Sequence, residues 1–139
     1  MQESTLDFLK RLAHGCAMQF GPDCEIVIHD LSSGIPESTI AAIENGHVTH
    51  RELGGGPSHI VIEALGKKSS ELHDQFNYFT RAADGKLIKS SSIYIRDEKG
   101  EVEGIFCINY DVTKLSAAEE AIKCLLHAES SEAEPEKIP

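Results

Sequence analysis

The chain has 139 residues, a size common for one domain, and 40% of them are apolar, enough for a core. Its net charge of −10 argues against nucleic-acid binding by this segment, because phosphate contacts dominate that affinity. No apolar run approaches the roughly 18 residues of a membrane span, and the start lacks the basic-then-apolar pattern of a signal peptide.

Cys16, Cys24, Cys107 and Cys124 are widely spaced, with no CxxC. They read as reduced thiols in a cytoplasmic protein, not as a disulfide framework or a zinc knuckle.

Residues 1–20 predict a helix. Leu6, Leu9, Leu12, Ala13, Cys16, Ala17 and Phe20 share one stripe at helical spacing. Ser4 or Thr5 is the expected cap, and Gly21-Pro22 the stop. The stripe suits a cover helix on a sheet or a dimer helix. Cys24 to His29 predicts a β-branched strand, and Asp30 to Gly34 a turn. Thr39 to Ile43 predicts a second strand, closed by the Asn45-Gly46 turn signal. His47 to Arg51 reads as a brief extended piece.

Gly54-Gly55-Gly56-Pro57 breaks the chain, and Pro57 suits the first turn of a helix running to about Leu65. No strand precedes the glycines and no Lys-Ser or Lys-Thr closes them, so they read as a connector and not a phosphate loop. Three strands follow, Phe76 to Ala83, Lys86 to Arg96 and Glu101 to Val112, joined by Asp84-Gly85 and by Asp97 to Gly100. In the third, both Gly104/Phe106/Ile108/Tyr110 and Ile105/Cys107/Asn109/Asp111 carry apolar residues. That strand is expected to be central and covered on both faces.

Ser116 to about Ala128 predicts a last helix, with Ser116 and Glu119 as a capping box. Leu115, Ala118, Ile122 and Leu125 follow a coiled-coil seam, too short to stand alone. Residues 129–139 have the acidic, proline-containing composition of a linker, which suggests that another domain follows.

The order helix, two strands, helical stretch, three strands, exit helix is that of a PAS domain. Specific segments sharpen the likeness: His29-Asp30-Leu31-Ser32, Ile43 to Thr49, Lys89-Ser90-Ser91, and Cys107 to Thr113. Together they resemble the YheO-like PAS family, from the first helix to about Thr113. The resemblance implies an α+β fold: a PAS-like, five-stranded antiparallel sheet with helices on its faces and an exit helix. It divides the chain into a cover helix (1–20), a PAS core (24–113) and an exit helix (115–128) ahead of the linker. It further implies the sensor domain of a bacterial transcriptional regulator. DNA would be bound only through a helix-turn-helix domain that this chain does not contain. The chain departs from the family pattern with His50 where glycine is usual, and with three glycines at 54–56.

PAS-like sheets hold small molecules against their helices. The polar residues in or near the resembling segments are therefore the expected ligand-binding set: His29, Asn45, His47, Tyr78, Ser90, Ser91, Cys107 and Asn109. Asp30, Glu44 and Ser92 lie beside them. Hydroxyls, an amide and imidazoles suit a small polar ligand, and Lys89 or Arg81 could pair with a carboxylate. Structural roles compete: Asn45 as a left-handed turn residue, Asp30 as a turn cap, Asn109 bonded to neighbouring backbone.

A His47/His50 metal pair is set aside because that spacing on a strand sends the rings to opposite faces. Cys107 reads as a small buried hydrophobe and not a nucleophile. No enzyme activity, cofactor or membrane association is expected. A homodimer through the first and last helices is expected. A ligand-free dimerisation module is the alternative function.

Overall fold

A computed structural model describes residues 1–51, 58–129 and 134–139. The glycine connector, Pro57 and part of the acidic segment lie outside the described residues.

Helix α1 spans Glu3–Phe20, and strands β1 (Cys24–Asp30) and β2 (Ile40–Glu44) follow. A short 3-10 turn covers Gly46–Val48, and α2 spans His59–Gly66. After a second 3-10 turn at Ser69–Glu71 come β3 (Gln75–Arg81), β4 (Leu87–Arg96), β5 (Val102–Asp111) and α3 (Thr113–Leu126). The five strands form one antiparallel sheet in the order β2-β1-β5-β4-β3. The strand predicted to be central, β5, is the middle one. Its two apolar faces need cover on both sides, which an edge position would not give.

One sheet face packs Cys24, Ile26, Ile28 and Phe106 beneath Ala13 of α1. The other packs Val27, Leu31, Ile105 and Cys107 beneath Val61 and Ala64 of α2. Alternation along each strand assigns the residues: even numbers of β1 and β5 face α1, odd numbers face α2.

Several local expectations are corrected. The stretch after Asn45 is a 3-10 turn and not extended. Asn45 adopts φ 54° and ψ 44°, the left-handed region, and its amide donates to the Cys24 and Gly21 carbonyls at 2.8 and 3.2 Å. Gly46 allows the chain to return on itself: a Cβ there would lie 2.5 Å from the Arg51 carbonyl oxygen. His50 has φ 59°, a conformation that glycine adopts at less cost.

Neither helix starts where expected. Gln2, not Ser4 or Thr5, precedes α1. Helix α3 begins at Thr113, so Ser116 lies inside it and forms no capping box. The Asp111 carboxylate instead accepts from the Thr113 N–H at 3.0 Å. The predicted α1 stripe is only partly covered: Ala13 and Ala17 are buried, whereas Leu12 and Phe20 are 43% and 59% exposed. Helix α3 buries none of its residues.

Candidate functional site

The register of β4 on β5 decides which polar side chains meet. Ser90 lies opposite Asn109, and Ser92 opposite Cys107. All four therefore share the α2 face, because directly paired residues point the same way. Tyr78 of β3, paired with Ser90, joins them. Over this floor lies a cavity of about 480 Å³, bounded by the start of α2 and by β3 and β4. Thr49, Arg51, Ser58, His59, Ile60, Glu63, Tyr78, Thr80, Arg81, Ser90, Ser92, Cys107 and Asn109 are among its lining residues.

The floor is a hydrogen-bonded chain. The Ser90 hydroxyl donates to Asn109 Oδ1 at 2.8 Å. Asn109 Nδ2 donates to Glu25 Oε1 at 2.8 Å. Thr49 donates to the same carboxylate through its backbone N–H at 3.0 Å and through its hydroxyl at 2.8 Å. Glu25 is fully buried. A buried carboxylate is costly unless donors surround it, and here they do. Beside this chain, the Tyr78 and Ser92 hydroxyls share a hydrogen bond of 2.7 Å. Ser92 also donates to Cys107 Sγ at 3.7 Å.

Burial pushes the Cys107 thiol up to about 11. The thiol is therefore neutral near pH 7, and a neutral thiol is a poor nucleophile. Burial, then the Arg51 charge, lowers His29 to about 4. His29 is fully buried and shares a 2.8 Å hydrogen bond between Nδ1 and Thr39 Oγ1. Its Nε2 has no partner among the described residues.

The structure thus brings together Tyr78, Ser90, Cys107 and Asn109 of the expected set, with Arg81 at the rim. Ser91 and Lys89 fall on the opposite sheet face, one residue out of phase. The Ser91 hydroxyl accepts from the Asn77 N–H at 3.1 Å. Asn45 is a turn residue, His47 is exposed, and His29 lies in the core; none of the three lines the cavity. His47 sits in a 3-10 turn, so the opposite-faces argument against a His47/His50 metal pair does not apply. Among the described residues, no three His, Cys, Asp or Glu side chains cluster as a metal site would need.

Sequence reasoning missed Glu25, Thr49, Arg51 and Ser58. Glu25 left a signal, a lone charge inside the apolar run Cys24 to Ile28. Thr49 lies at the end of the resembling segment Ile43 to Thr49, whereas Arg51 and Ser58 left no signal, since only the tertiary fold brings them to the sheet.

The sheet order, the helices on its two faces and the cavity between sheet and α2 are those of a PAS domain. The family profile for the YheO-like PAS domain matches residues 1–127, and the chain belongs to that family. It is 34% identical over 110 residues to an uncharacterized protein of Haemophilus influenzae, covering 79% of this chain and 48% of that one. Against the uncharacterized protein YheO of Escherichia coli K12 the identity is 32%, covering 79% and 47%. Against the transcriptional regulator DauR of Pseudomonas aeruginosa it is 28%, covering 90% and 56%. The chain therefore spans about half the length of these relatives. Among solved structures, the PAS domain of the fruit-fly ELK potassium channel is 14% identical, with 72% and 96% coverage and a TM-score of 0.45. No helix of the described residues is long and apolar enough to cross a membrane.

Proposed function

We propose that this chain is the small-molecule-sensing domain of a bacterial transcriptional regulator, acting in the cytoplasm and without enzymatic activity. The observation that carries this reading is the cavity over β3–β5. Its floor presents hydroxyls and an amide already ordered by a buried network, the arrangement that orients a small polar ligand. A relative that is a transcriptional regulator supports the regulatory role.

In this reading residues 1–20 cover the sheet, 24–113 form the core, 115–128 exit from it, and 129–139 link to a DNA-binding domain outside this chain. Tyr78, Ser90, Cys107 and Asn109 contact the ligand directly. His29, Asn45, His47 and Ser91, which do not line the cavity, act by holding the surrounding structure. A ligand regulates only by binding two arrangements of the domain with different affinity. The exit helix is the element that transmits the difference, since it continues directly from β5.

The test is thermal stability against a library of organic acids, amino acids, amines and nucleobases. A ligand bound by the folded form alone raises the melting temperature as its concentration exceeds its dissociation constant. The rise should vanish in Ser90→Ala and Asn109→Ala and persist in Ser91→Ala. A library without effect sinks the proposal.

A second reading, a ligand-free dimerisation module, is favoured by the exposed apolar side chains of α1 and α3. Phe8, Met18, Leu115, Ile122 and Leu125 are all more than half exposed. A melting temperature that depends on protein concentration but on no ligand would select it.

A further inference from the structure

The chain is acidic overall, with a net charge of −10, yet the cavity is not. Its lining carries two arginines, Arg51 and Arg81, against one carboxylate, Glu63, while the Glu25 carboxyl lies beneath the floor and is already bonded by Asn109 and Thr49. Glu63 is already engaged by Lys67 at 3.0 Å, one helical turn on, so its charge is offset from outside the cavity. Among the described residues, no carboxylate lies within 4.0 Å of either arginine. Arg81 also donates to the Gly85 carbonyl at 3.0 Å. Arg51 is half-buried and lines the same cavity as Cys107 and Asn109 of the sheet.

Helix α2 adds a second set of donors. Ser58 and His59, at its start, line the same cavity. Ser58 occupies the N-cap position with extended backbone, yet its hydroxyl makes no capping bond. That hydroxyl is buried and has no hydrogen-bond partner among the described residues. An N-cap serine usually accepts from a first-turn N–H. Here the hydroxyl makes no such bond among the described residues, beside a helix end that favours negative charge.

We infer that the ligand of this cavity carries a carboxylate, bound between the Arg51 guanidinium and the Ser58 hydroxyl at the start of α2. This rests on the sensing reading above and names its ligand class. The planar guanidinium fork matches a carboxylate. A single carboxylate also suits one half-buried arginine better than a dianionic phosphate would. The remainder of the molecule lies on the Ser90 and Asn109 floor. The ligand thereby ties α2 to the sheet, through groups that have no side-chain partner among the described residues.

The test is titration calorimetry of this chain with lactate, succinate, malate, glutamate and benzoate, each beside its carboxamide, and with inorganic phosphate. The expected result is binding by at least one acid and not by its amide. Arg51→Gln should weaken it about tenfold or more, the worth of a charge-assisted hydrogen bond, and Arg51→Lys should restore part of it. Circular dichroism and melting of each variant establish that it folds. Amides binding as well as acids, or an acid indifferent to Arg51→Gln but lost in Ser90→Ala, would overturn the carboxylate and leave the sensor reading standing. Binding by phosphate alone would replace the carboxylate with a phosphate. No binding by any of these, with none from the wider library, would remove the sensor reading and this inference together.

Discussion

Asn109 and Glu25 are register partners across β5 and β1, and the Asn109 amide donates to the Glu25 carboxylate at 2.8 Å. The pair joins the cavity floor to the core. Asn109 faces the cavity with one side and satisfies a fully buried carboxyl group with the other. Asn109→Ala should therefore cost stability even without ligand, by about 1–3 kcal/mol, the usual cost of stripping a donor from a buried polar group. Urea denaturation measures it. A loss below about 0.5 kcal/mol would mean that water or Thr49 replaces the amide freely.

His29 sets a pH dependence. Burial and the Arg51 charge hold it at about 4, against 6.5 for the free side chain. The unfolded chain therefore takes up a proton before the folded one does. Stability should be level above pH 6.5, fall as the pH drops toward 4, and level off again below. The contribution is on the order of 3 kcal/mol. Comparison with His29→Gln isolates it from the carboxylates that titrate nearby. The His29 ring resonances should remain those of the neutral form at pH 5.5, and a midpoint near 6.5 would refute the argument.

The cysteines should separate by reactivity. Cys124 is exposed on α3, whereas Cys107 is buried with its thiol held neutral by that burial. Iodoacetamide at pH 8 should label Cys124 and leave Cys107 untouched until denaturant is added. Mass spectrometry of digested protein reads the order, and early labelling of Cys107 would contradict the buried position.

The exit of the chain hangs on Asp111. Its carboxylate accepts from both the N–H and the hydroxyl of Thr113, at 3.0 and 2.6 Å. The same hydroxyl accepts from the Leu87 N–H at 2.9 Å, tying the start of α3 to the start of β4. Asp111→Ala should cost about 1 kcal/mol, as lost caps do. Hydrogen exchange should quicken at Leu87 and in the first turn of α3. Unchanged exchange at Leu87 would show that the tie carries no mechanical link.

If α3 pairs with a second copy, its exposed seam is the contact. Ile122→Asp should convert a dimer to a monomer in sedimentation and leave monomer stability unchanged, because Ile122 is already 58% exposed. A wild-type chain that sediments as a monomer at high concentration would remove this role for α3.

The sequence by itself determined the element order and the central place of β5. Those follow from local signals: alternation of period two, turn residues such as Asp84-Gly85, and a strand apolar on both faces. It also pointed to Tyr78, Ser90, Cys107 and Asn109. It could not separate Ser90 from Ser91, because a one-residue difference in phase reverses the face, and only pairing with β5 fixes the phase. Nor could it place Arg51 and Ser58. Each lies outside the strands, and its position at the cavity depends on how the chain turns back after Asn45 and where α2 begins. Periodicity assigns a residue to a face of its own element. Which faces of different elements meet, and so which charge stands over which floor, was decided only when the strands paired and α2 packed on the sheet.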